Sequence, residues 1–63
     1  MCESNVYFVD ENGNRSLVME SVDKIKPVGD EIHMENILNK KLTVKAEIAE
    51  MSLVDHLVLL KKL

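Results

Sequence analysis

The feature that most constrains this chain is a strict alternation of apolar and other residues. Leu42, Val44, Ala46 and Ile48 alternate with Thr43, Lys45, Glu47 and Ala49. A two-residue period puts one set of side chains on one face of a strand, whereas a helix would scatter them around its axis. Glu31 to Glu35 repeats the pattern, with Ile32 and Met34 inward and His33 outward. Asn5 to Val9 is rich in Val, Tyr and Phe, which suit a half-buried pleated surface. Val6 and Phe8 take one face there, and Asn5, Tyr7 and Val9 the other. Arg15 to Glu20 and Val22 to Val28 read as two further extended segments.

The breaks between these runs carry turn chemistry. Asn12-Gly13 is a strong short hairpin signal, since both residues tolerate positive φ. Gly29-Asp30 is the next turn. Pro27 cannot donate to a ladder and belongs at an edge or a strand end. Asn36 to Lys41 reads as a polar connection interrupted by Ile37 and Leu38. The last third has two readings. Ala46, Ala49, Leu53, Leu57 and Leu60 fall at helical spacing, which suggests an amphipathic helix over about 45–62. The alternation through Ile48 and the apolar density of Leu57 to Leu60 favour strand, turn, strand instead, with the turn at Asp55-His56.

Sixty-three residues make one small domain, 1–63. Chains of this size bury only about 60% of their unfolded surface and often need a metal, disulfides or a partner subunit. One cysteine excludes an intramolecular disulfide, and one Cys with two His falls short of a structural zinc site. A homodimer is the simplest remaining source of stability. Eight Lys/Arg against eleven Asp/Glu give a net charge of −3. That balance argues against nucleic acid as a partner, because phosphate binding calls for a basic patch. The acidic and polar residues among the first nine do not resemble a signal peptide, and no apolar run suits a membrane span of roughly 20 residues. A free cysteine without a secretory signal points to a reducing cytoplasm.

The concentrated chemistry is at the start. Cys2 lies one residue from the amino terminus, so its thiol can act together with the backbone nitrogens beside it. That combination is a candidate soft-metal site. His33 and His56 are isolated in sequence; the first reads as an outward strand residue and the second as a turn residue. No enzyme is expected, because a barrel this small has little room for a substrate pocket. Tyr7 and Phe8, the only aromatics, point to opposite faces and form no paired stacking platform for RNA.

The sequence resembles the CooT family of small nickel-binding proteins. The likeness runs through Met1-Cys2 and Asn5-Val6-Tyr7, then Leu17-Val18-Met19-Glu20, Val22-Asp23 and Gly29-Asp30-Glu31-Ile32. It closes with Val44-Lys45-Ala46-Glu47-Ile48 and Leu53-Val54-Asp55-His56-Leu57-Val58-Leu59. The chain departs from the family where Asn39-Lys40 replaces a glycine-containing turn, and in a more apolar tail from Leu57 to Leu63.

The resemblance decides for strands in the last third. It implies an all-β, SH3-like barrel of five to six short antiparallel strands that dimerises and binds nickel through Cys2. The expected core is Val6, Phe8, Leu17, Val22, Ile25, Ile32, Met34, Leu42, Val44, Ile48, Leu57 and Leu59. The implied role is nickel supply to carbon monoxide dehydrogenase, by an accessory protein that holds or delivers Ni(II). Nickel(II) accepts thiolate and nitrogen ligands, often in a plane. With Met1 retained, its amine, the Cys2 backbone nitrogen and the Cys2 thiolate bind in sequence; with Met1 removed, the Cys2 amine and thiolate form a chelate. Two chains at a two-fold axis would supply two sulfurs and two nitrogens. The competing reading is a small RNA- or protein-binding barrel without a metal role.

Overall fold

The computed structural model describes residues 2–63 and holds five strands. These are β1 (Ser4–Val9), β2 (Arg15–Val28), β3 (Glu31–Asn36), β4 (Lys41–Ser52) and β5 (Leu57–Lys62). They close into one barrel in chain order. The helix considered over 45–62 does not form; β4 and β5 occupy that stretch. In an up-and-down meander the directions alternate, so the first and fifth strands run the same way. The closing pair, β1 with β5, is therefore parallel, and the other four junctions are antiparallel.

Two long strands make closure possible with so few residues. β2 pairs with β1 through its first half and with β3 from Val22 onward. β4 pairs with β3 up to Lys45 and with β5 from Ala46 onward. Each long strand is thus shared between two neighbours, and its two halves point in different directions. Bulges supply the bends, because an extra unpaired residue kinks a strand and sharpens its twist. On β2 the register slips between Val6 and Ser4 of the partner strand, and Ser21 there takes φ +54°. On β4 the slip lies between Ile48 and Glu50. The break expected between Glu20 and Val22 is this bend, not a strand end: the two segments are one strand of 14 residues. Pro27 lies beyond the last residue of β2 paired with β1, where a missing N–H leaves the ladder on that side intact.

Two of the hairpin loops use the same device. In Asp10-Glu11-Asn12-Gly13-Asn14, the Asp10 carboxylate accepts the Asn12 and Asn14 amides, both at 2.9 Å. Gly13 N–H donates to the Asp10 carbonyl at 3.1 Å, and Gly13 has φ +83°. In Asn36-Ile37-Leu38-Asn39-Lys40, the Asn36 side-chain oxygen accepts the Leu38 and Lys40 amides, both at 3.0 Å. Asn39 N–H donates to the Asn36 carbonyl at 2.9 Å with φ +65° at Asn39. Both are three-residue loops with a left-handed fourth position. Positive φ therefore falls on Gly13 and not on Asn12. Asn39 serves where glycine was expected, since asparagine tolerates that region better than most residues. The amide of Asn14, with smaller help from Asn12 and Gly13, holds the Asp10 carboxyl below its ordinary value.

The core cluster is Val6, Met19, Val22, Ile32, Met34, Ala46, Val58 and Leu60, with Phe8, Val18, Ile25, Val44 and Ile48 packed against it. Three expected core residues need correction. Leu17 pairs with Tyr7 on the outer face and is 51% exposed; the register slip that follows brings Met19 inward opposite Val6. Leu42 lies opposite Met34 but so near the start of β4 that the barrel end leaves it exposed. In β5 the inward phase is the reverse of the one expected. The parallel register sets Val58 against Val6 and Leu60 against Phe8, so Leu57 is only half-buried. Leu59, opposite Tyr7, is buried as expected, at 5% exposure.

Leu60 has 0% exposure. Leu60→Ala is expected to cost about 2–5 kcal/mol, the range for emptying a filled core site, while Leu17→Ala changes stability by about 0.5 kcal/mol or less. Urea unfolding of both variants checks the assignment; equal costs would refute the β5 phase described here.

Candidate functional site at the barrel rim

The chain enters the barrel at Asn5. Its backbone N–H donates to the His56 carbonyl at 2.9 Å, and its side-chain oxygen accepts the Ser21 amide at 3.1 Å. Asparagine suits this position because a short side chain can stand in for a backbone acceptor. The Ser21 bulge is held from its other side as well, its carbonyl accepting the Ile37 amide at 3.0 Å. One residue thus ties the start of β1 to the bend of β2 and to the turn between β4 and β5. Ser4 pairs with Val22, and Val22 in turn with Asn36.

This network gathers three segments at one end of the barrel. They are the N-terminal Cys2-Glu3, the loop Ile37 to Lys40, and the turn Leu53 to His56. The Cys2 thiol is free and exposed. Met1, the other residue assigned to the metal site from sequence, lies outside the described residues. Glu3, Asn5, Asp55 and His56 line a shallow cleft beside the terminus. The turn is fixed by Ser52, whose hydroxyl donates to the Asp55 carboxylate at 2.9 Å and accepts the Asp55 amide at 3.3 Å. His56 completes it with φ +53°. His56 therefore sits in a turn, as expected, but the parallel seam carries that turn to the N-terminus. His33 lies outward on β3 against Glu31 at 3.2 Å and takes no part in the rim.

Among the described residues, no three His, Cys, Asp or Glu side chains converge as a metal cage. A metal at Cys2 would therefore draw on the thiolate and on backbone nitrogens or a second chain. The rim also exposes apolar side chains: Leu38 is 80% exposed, Leu53 76% and Val54 89%. Asn5 and the rim were missed by sequence reasoning. Their signal was weak, since the strand-order closure that unites them is non-local.

Fold and site define a small closed β-barrel that presents a free thiol from a clamped N-terminal strand. The family model "CO dehydrogenase accessory protein CooT" matches residues 1–61. The crystal structure of a presumed CooT from Carboxydothermus hydrogenoformans superposes with a TM-score of 0.91 at 34% identity, covering 98% of each chain. No curated protein matches. The chain belongs to the CooT family of CO dehydrogenase accessory proteins.

If Asn5 is the clamp, Asn5→Ala should cost about 0.5–1.5 kcal/mol, the net value of one hydrogen bond. It should also speed hydrogen exchange at the Ser21 amide while leaving the Asp10–Asn14 hairpin unchanged. Unaltered exchange at Ser21 would show that the bend holds without it.

Proposed function

We propose that this protein is a nickel-binding accessory protein whose ligands centre on Cys2. The observation that carries the reading is the Cys2 thiol, exposed at the rim and two residues before a strand start fixed on both sides. Membership of the CooT family supports an accessory role toward CO dehydrogenase. Nickel(II) is the cargo in this reading and not a resident cofactor. The Cys2 thiolate and backbone nitrogens at Met1 or Cys2 are the donors, and thiolate with nitrogen is a set that Ni(II) accepts. A terminal site can open without unfolding the barrel, because the strands begin only at Ser4. That suits delivery better than permanent storage. The protein acts in the cytoplasm, where the thiol stays reduced, and the receiving protein is a nickel enzyme such as carbon monoxide dehydrogenase.

The complete site needs a second copy of the chain. One thiolate with its backbone nitrogens leaves a four-coordinate ion short of donors, and among the described residues no three His, Cys, Asp or Glu side chains converge to complete it. The exposed Leu38, Leu53 and Val54 stand on the loops at that end of the barrel and offer apolar surface suited to a two-fold contact. Sedimentation at micromolar concentration should give a dimer, and Leu53→Asp with Val54→Asp should give monomers of unchanged fold. A wild-type monomer would remove the two-chain site.

Calorimetric titration with nickel under reducing conditions tests the metal assignment. The expected stoichiometry is one ion per dimer. Cys2→Ser should abolish binding while the circular dichroism spectrum stays that of the wild type. His33→Ala and His56→Ala should bind nearly as before. Binding should release protons and weaken in acid, because ligands must be deprotonated. Unchanged affinity and stoichiometry in Cys2→Ser would overturn the assignment.

A further inference from the structure

The opposite rim carries a second feature. β1 runs from the Cys2 end to Val9, and there the Asp10–Asn14 loop, the start of β2 and the end of β5 enclose a cleft of about 560 Å³. The volume falls within the roughly 300–1,000 Å³ of small-molecule sites. Phe8 forms its half-buried apolar wall with Lys62 over the ring, and Arg15 and Lys61, one residue out of phase on their strands, line its margin. The whole chain has eight Lys/Arg and a net charge of −3, so this concentration runs against its overall charge.

Two carboxylates also line the cleft, Asp10 and Glu11. Asp10 is turned to its own loop, where its oxygens accept the Asn12 and Asn14 amides and the Asn14 side chain. The ion pairs found among the described residues, Lys24 with Glu35 and His33 with Glu31, lie elsewhere and leave Arg15, Lys61 and Lys62 without carboxylate partners within 4.0 Å. The Lys62 ammonium stands 4.9 Å from the centre of the Phe8 ring. That contact holds a long side chain over the apolar wall at little cost. Cations without internal partners beside an aromatic surface suit a ligand that joins a negative head to an apolar body.

We propose that this cleft binds a small organic oxyanion, a carboxylate or phosphate ester with an apolar portion, held by Arg15, Lys61 and Lys62 against Phe8. The site is separate from Cys2 and does not depend on the nickel reading.

Nuclear magnetic resonance titration of the nickel-free protein tests it with three probes: phenyl phosphate, succinate and neutral succinamide. Saturable shifts are expected at Phe8, Arg15, Ser16, Lys61 and Lys62 for one or both anions and not for succinamide. Preference between the anions tells phosphate from carboxylate. Each of Arg15→Gln, Lys61→Gln and Lys62→Gln should weaken binding roughly threefold, and the triple variant by more than tenfold. These side chains are exposed, and the single variants together with a salt titration of the wild type keep the test decisive if the triple variant unfolds. Cys2→Ser should bind the anion as the wild type does. Shifts that never saturate, that appear equally at Lys24 and Lys26, or that keep the wild-type affinity in every Gln variant would overturn the proposal.

Discussion

The rest of the structure depends on two strands being shared. A five-stranded ring from 63 residues cannot give every junction its own pair of strands at full length. β2 and β4 solve this by passing from one neighbour to the next at Val22 and between Lys45 and Ala46. Closure then abolishes free sheet edges, which would otherwise invite pairing with other chains. The cost is concentrated at the bends. Ser21 takes positive φ without being glycine, and its amide and carbonyl must find partners outside the regular ladder. Asn5 and Ile37 provide them. Ala46, at the other hand-off, is 2% exposed, and the bend of β4 follows it between Ile48 and Glu50.

The same economy places the Cys2 end. An odd number of strands forces β1 and β5 to run parallel, so the turn before β5 must sit beside the start of β1. Asp55 and His56 reach Glu3 for that reason alone. The chain therefore has two unlike rims. One presents the Cys2 thiol with exposed apolar tips, and the other sets Lys62 over Phe8 in a cleft that Arg15 and Lys61 also line.

Much of this was legible locally. Alternation in β3 and β4 marked Ile32, Met34, Val44 and Ile48 as inward, and glycines marked two turns. The Asn36 loop was legible in principle too. It repeats the Asp10 loop position by position, with an Asx residue first and a residue tolerant of left-handed φ fourth. Asn39 in place of glycine hid the likeness.

By itself the sequence determined the strands up to Ile48, the glycine turns and the one free thiol, because each follows from side-chain period or local backbone preference; over 45–62 the period left helix and strand both open. The tertiary structure alone decided the faces of Leu17 and of β5. Periodicity gives two equivalent phases for an unbroken run such as Leu57-Val58-Leu59-Leu60. Only pairing with Val6 and Phe8 turns Val58 and Leu60 inward. It also decided that Asn5 clamps the terminus and that His56, 54 positions after Cys2 in the chain, shares its rim. Those contacts arise from ring closure, a non-local constraint that no window of sequence contains.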